Sequence, residues 1–93
     1  MIEKISIEKY IKTENDILID LRDKTVCSFG SLPEAVNIPM EEIEKLYSLP
    51  KNKRIVLFCQ KGDYSGEIAE LLSDNGYNVA DLTGGYRKWI TSV

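Results

Sequence analysis

Ile55-Val56-Leu57-Phe58-Cys59-Gln60-Lys61-Gly62-Asp63-Tyr64-Ser65 decides the fold. Its first four residues are apolar without a break. Such a run reads as a strand covered on both faces, which places it centrally in a parallel sheet. After Cys59 the chain turns polar and carries Gly62, which reads as a loop. Ser65 then opens a helix with Ile68, Leu71 and Leu72 inward, and Gly76 is its C-terminal stop.

The same alternation continues on both sides. Upstream, Ile17-Leu18-Ile19 ends at Asp20 as a second buried strand. Residues 22–34 are polar, contain Gly30 and Pro33, and read as one long loop. Residues 35–38 form a brief strand that Pro39 stops. Met40, Ile43, Leu46 and Tyr47 then space as a helix face, and residues 50–53 turn. Near the start, residues 4–6 make a short edge strand. Ser6 is placed to cap a helix whose inner face is Ile7, Tyr10 and Ile11. Downstream, residues 78–82 form another strand. Gly84-Gly85 turn into a last helix with Tyr86, Trp89 and Ile90 on one side. Alternating strands and helices predict an α/β class. A length of 93 residues gives one domain, residues 1–93, and no room for a second.

Composition excludes several function classes. A net charge of −3 argues against nucleic acid or an anionic membrane as a non-specific partner. The chain has no histidine, so it cannot build a Ser–His–Asp triad, a Cys–His dyad or a His-ligated metal site. Its two cysteines, Cys27 and Cys59, are too few for a four-cysteine metal cluster and form no Cys-x-x-Cys pair. They predict a reducing, cytoplasmic setting rather than a disulfide scaffold. Residues 1–8 are interrupted by acidic side chains and do not read as a signal peptide. The longest apolar run, residues 55–59, is far too short to cross a bilayer.

Cys59 carries the sharpest chemical signal. It ends the most buried strand, where sites of open α/β sheets lie. Gly62 permits a tight loop whose N–H groups turn inward, with a helix N-terminus behind them. Such an anion pocket favours the thiolate, the reactive form of cysteine. The pattern therefore predicts a nucleophilic Cys59 cradled by backbone donors, with no histidine base required. The competing reading is a buried structural cysteine that simply ends a core strand.

Four segments, in one order and spacing, resemble the rhodanese-like domains, single-domain sulfurtransferases in particular. Leu18-Ile19-Asp20-Leu21-Arg22 is similar to the family's Ile-Asp-Val-Arg strand end. Gly30-Ser31-Leu32-Pro33-Glu34-Ala35-Val36-Asn37-Ile38-Pro39 is similar to its Gly-His-Ile-Pro-Gly-Ala-x-Asn-Ile-Pro segment. Residues 55–65 resemble its active-site strand and loop. Leu82-Thr83-Gly84-Gly85-Tyr86-Arg87-Lys88-Trp89 resembles its Leu-x-Gly-Gly-x-x-x-Trp ending. The resemblance covers residues 17–89. It implies a five-stranded, mostly parallel sheet with helices on both faces. It also implies an enzyme that takes a sulfane sulfur onto Cys59 as a persulfide and passes it to a thiol, protein thiol or other nucleophile. Backbone N–H groups of Gln60, Lys61, Gly62, Asp63, Tyr64 and Ser65 would bind the outer sulfur. Neither a metal nor an organic cofactor is implied. The partners are a sulfane-sulfur donor and a thiol or protein acceptor.

The chain departs from the family at specific positions. Members often read Cys-x-x-Gly-x-Arg, and here that arginine is Tyr64. Lys61 is the only cation inside the loop and reads as an exposed lysine, while Asp63 adds a negative charge beside it. A less charged donor, a polysulfide or a protein-borne persulfide, therefore fits better than thiosulfate. Phosphatases of this fold need Cys, five residues, then Arg; that position is Ser65, so phosphate-ester hydrolysis and arsenate reduction are disfavoured. The histidine of the second segment is Ser31 and its second glycine is Glu34, changes expected to alter local geometry more than chemistry. Asp20 and Arg22 read as a brace for the following loop rather than substrate-side groups. Cys27 lies outside the family pattern and reads as an incidental half-buried thiol; its alternative is to resolve a Cys59 persulfide as a disulfide. Two rival functions remain. One is a non-catalytic interaction or sulfide-sensing module. The other is a thiol switch built from Cys27 and Cys59.

Overall fold

The computed structural model describes residues 2–92. The strands are β1 (Ile2–Ser6), β2 (Asp16–Asp20), β3 (Val36–Asn37), β4 (Arg54–Phe58) and β5 (Asn78–Thr83). They form one sheet in the order β1-β5-β4-β2-β3, and every pairing is parallel. The fold is therefore α/β with a five-stranded parallel sheet. β4 is its central strand, and residues 55–59 have no accessible surface.

The alternation along β4 builds two cores. Ile55 and Leu57 point to one face, and Val56 and Phe58 to the other, as the two-residue period of a strand requires. The first face is covered by α2 (Ser65–Asp74) through Ile68, Ala69 and Leu72, and by 3-10 turns over Met40–Ser48 through Leu46. The second is covered by Ile7, Leu32 and the α3 helix (Gly85–Thr91), which contributes Tyr86 and Trp89. Helices thus lie on both faces, as expected.

Several local expectations are corrected. Residues 7–9 form a single turn and not a helix. The Ile7 N–H donates to the Thr83 carbonyl and the Lys9 N–H to the Ser6 carbonyl, so the segment continues the β1–β5 edge. Ile7 is buried, Ile11 is 82% exposed, and the buried Ser6 Oγ caps nothing. The 22–34 loop contains a five-residue helix, α1 (Lys24–Ser28), with no buried residue. Met40 and Tyr47 are exposed, because the 3-10 turns bury chiefly Leu46, and a break at Glu42 interrupts them. Leu71 and Ile90 also face outward; α2 and α3 each turn a narrower stripe to the sheet than their apolar spacing allows.

Candidate active site

The C-terminal ends of β2 and β4 lie side by side, with Asp20 paired to Phe58. Strand β4 delivers Cys59 to the sheet edge, and the chain must reverse there to start α2. Gly62 makes that reversal with φ +82. A Cβ on Gly62 would stand 2.7 Å from the Gly84 nitrogen. A Cβ on Gly85, itself at φ +67, would stand 2.6 Å from both the Gln60 oxygen and the Gly62 nitrogen. The loop is therefore pressed onto the Gly84-Gly85 turn, backbone to backbone. Two hydrogen bonds fasten it there: Tyr86 N–H to the Cys59 carbonyl at 2.9 Å and Arg87 N–H to the Gln60 carbonyl at 3.0 Å.

Inside the loop the Gly62 N–H donates to Cys59 Sγ at 3.2 Å. The Cys59 thiol in turn donates to Asp63 Oδ1 at 3.8 Å. That oxygen also accepts the Tyr64 N–H at 2.9 Å. Cys59 has no accessible surface, whereas Asp63 is exposed. Of the loop N–H groups, then, one sits on the sulfur and one is held by a carboxylate.

The other loop side chains are placed as follows. Gln60 accepts a hydrogen bond from Arg22 Nη1 at 3.2 Å. Lys61 is exposed and lines an open cavity of about 400 Å³ with Gly84, Arg87, Lys88 and Thr91. Tyr64 donates its hydroxyl to the Leu21 carbonyl at 2.7 Å, so it bridges the loop to the end of β2. Burial, with the charges of Cys59 and Asp20 nearby, pushes its phenol up to about 12. Ser65 is buried, and its hydroxyl donates to Asp81 Oδ1 at 2.5 Å. Asp81 also pairs with Lys4 at 2.9 Å. The hydroxyls of Tyr64 and Ser65 are thus engaged in holding the loop. Asp81 was missed in the sequence; the signal was a carboxylate inside the apolar run Val79-Ala80-Asp81-Leu82, which demands a buried partner.

Asp20 and Arg22 form the expected brace. Arg22 donates from Nη2 to Asp20 Oδ2 at 2.8 Å and from Nε to Oδ1 at 3.0 Å. Its second role is to reach Gln60 and the Gly30 carbonyl, at 2.6 Å, while stacking over the Tyr86 ring at 3.9 Å. Ser31 donates to Asp20 Oδ2 at 2.6 Å, which gives this position a structural role. Burial alone would raise the Asp20 carboxyl, but hydrogen bonds from Arg22 and Ser31 outweigh it and hold it below the ordinary range.

Cys27 is partly buried and unpaired, its thiol donating to the Arg22 carbonyl at 3.8 Å. Burial, then the nearby Asp20 carboxylate, pushes that thiol up to about 12. Cys27 is therefore a protonated, weak nucleophile at neutral pH, which disfavours the thiol switch. Among the described residues no group of three or more Cys, Asp or Glu could hold a metal ion, and no helix is long and apolar enough to cross a membrane.

Comparison with known proteins identifies the family. A family model described as "Rhodanese-like domain" matches residues 5–92. YtwF of Bacillus subtilis is 34% identical over 83 residues, covering 88% of this chain and 81% of that protein. A sulfurtransferase of Allochromatium vinosum is 30% identical over 84 residues, covering 88% and 78%. A rhodanese-related protein from Thermoplasma volcanium superposes with a TM-score of 0.78 at 32% identity, covering 85% of this chain and 80% of that one.

Proposed function

The chain belongs to the rhodanese-like domain family, a membership that supports sulfurtransferase function at the level of the family, and from it we propose that Cys59 is a persulfide carrier. The Gly62 N–H on Cys59 Sγ carries this reading, because it is a donor already aimed at the sulfur that bears the charge as the attacking thiolate. The thiolate of Cys59 attacks the outer sulfur of a sulfane donor. The donor's S–S bond breaks and its electron pair leaves with the remaining sulfur, as a thiolate from a persulfide. Cys59 is left as Sγ–S⁻. An acceptor thiolate then attacks the outer sulfur, the Sγ–S bond breaks, and Cys59 is restored as thiolate while the acceptor becomes a persulfide.

Residues 60–65 act through their backbone: Gly62 steadies Sγ, and the Tyr64 N–H takes the outer sulfur once Asp63 lets it go. Tyr64 and Ser65 hold the loop to β2 and β5 through their hydroxyls. A protein-borne persulfide fits this site better than thiosulfate or a free polysulfide, both dianions at neutral pH, since no arginine stands in the loop to grip them. The whole domain, residues 1–93, works as one unit in the cytoplasm, with a thiol or protein thiol as acceptor.

The test is intact-protein mass spectrometry after exposure to cysteamine persulfide, with Cys59→Ser as control. A gain of one sulfur on the native chain and none on the variant is expected. No gain, with Cys59 still open to alkylation, replaces this reading with a non-catalytic rhodanese-like interaction module. The sealed sulfur and the absent arginine are the observations that favour that second reading.

A further inference from the structure

Resting on the reading of Cys59 as a sulfur carrier, we propose that Asp63 is the donor-discriminating residue of this site. Its carboxylate turns away strongly anionic sulfur donors and admits donors of little net charge. Three observations place it in that role. Asp63 Oδ1 lies 3.8 Å from Cys59 Sγ and accepts from its thiol. The same oxygen holds the Tyr64 N–H at 2.9 Å, a donor that an outer sulfur anion would use. Cys59 has no accessible surface and Asp63 is exposed, so the carboxylate stands on the solvent side of the sulfur. The carboxylate is thus an anion already seated in the loop's own anion cradle.

No cation is paired with it. Among the described residues Asp63 forms no ion pair. Lys61 is exposed and likewise unpaired among them. Arg22 is committed to Asp20, Gln60 and the Gly30 carbonyl. An incoming donor meets a carboxylate that no salt bridge neutralises, and the carboxylate must release Tyr64 before the outer sulfur occupies that N–H. The penalty grows with donor charge. Thiosulfate brings a double negative charge beside Asp63, whereas cysteamine persulfide carries an ammonium that offsets its sulfur.

The experiment measures initial rates of one-sulfur gain on Cys59 by mass spectrometry, with thiosulfate and with cysteamine persulfide. In both cases the outer sulfur transfers and the S–S bond of the donor breaks, releasing sulfite or cysteamine thiolate. Asp63→Asn removes the charge and keeps the shape; Asp63→Ala also frees the Tyr64 N–H. The ratio of the thiosulfate rate to the cysteamine persulfide rate rises about tenfold in Asp63→Asn, the Boltzmann factor for a dianion roughly 6 Å from a carboxylate in a medium as polar as water. Asp63→Ala raises it at least as far. A merely structural Asp63 would change both rates together and leave the ratio alone. If both variants keep the ratio within about twofold of the native chain, well under the Coulomb factor, while the native chain takes sulfur from cysteamine persulfide, the discrimination is overturned and the carrier reading stands. If neither donor loads any of the three proteins and Cys59 remains alkylatable, the carrier reading itself falls.

Discussion

Replacing Asp20 with asparagine removes one charge from the brace beneath the candidate site and nearly nothing else. The carboxylate is fully buried and receives Arg22 Nε, Arg22 Nη2, the Arg22 N–H and the Ser31 hydroxyl, all within 3.2 Å. In the variant the Arg22 guanidinium, itself only 4% exposed, loses its counter-charge where water cannot replace it. Breaking a buried pair from one side destabilises by about 3–5 kcal/mol. For a domain near this size each kcal/mol lowers Tm by roughly 4–8 °C, so Asp20→Asn lowers it by at least about 12 °C at pH 7. Differential scanning calorimetry measures this directly. The pH dependence adds a second check. The Asp20 carboxyl sits below its unfolded value, so its contribution is complete above the unfolded pKa, near ~3.9, and is lost as pH falls through the lower folded value. The Tm gap between native chain and variant is therefore full at about pH 6 and narrows as pH drops below about 4. A loss under about 4 °C at pH 7, equivalent to less than ~1 kcal/mol, would refute the assignment of Asp20 and Arg22 as a stabilising buried pair.

Other outcomes follow from single positions. Glu34 sits at φ +67, so Glu34→Gly relieves a left-handed residue and raises stability by up to about 1 kcal/mol, read from the urea midpoint. Gly62→Ala forces a Cβ against the Gly84 nitrogen; it destabilises by about 1–3 kcal/mol and lowers the yield of sulfur on Cys59 by mass spectrometry. With its thiol pushed up to about 12, Cys27 in a Cys59→Ser background reacts slowly with iodoacetamide at pH 7, and the rate keeps rising with pH beyond pH 10. A plateau near pH 9 would contradict that environment.

The central strand and its loop were legible because local sequence determines them. Four apolar residues followed by Cys59 and Gly62 leave little choice of topology. The Glu34 position was legible as a glycine site, and its positive φ explains why. What escaped prediction depended on contacts between distant segments. Residues 7–11 have helical spacing, yet Ile7 bonds to Thr83 across the sheet edge, and that pairing overrides the spacing. The α1 helix buries nothing, so no apolar period announces it. The sequence located Asp63 beside Cys59 but could not give the oxygen–sulfur distance, and that distance makes its charge matter. Likewise, Tyr64 was recognisable as the replacement for an arginine. That its hydroxyl ties the loop to Leu21 is visible only once β2 and β4 lie together.

The close seat of the Cys59 loop on Gly84 and Gly85 also sets an order of events in time. Strand β4, its loop and the start of α2 leave the ribosome well before the Gly84-Gly85 turn against which the loop is moulded. Until that turn arrives, the carbonyls of Cys59 and Gln60 lack the N–H groups of Tyr86 and Arg87, and nothing fixes the loop's curvature. The β1 strand waits equally long, since Ile2 pairs with Val79 across almost the whole chain. Parallel sheets with such distant partners fold slowly for their size. The cradle around the cysteine therefore waits for the C-terminal segments and is among the last features to be completed.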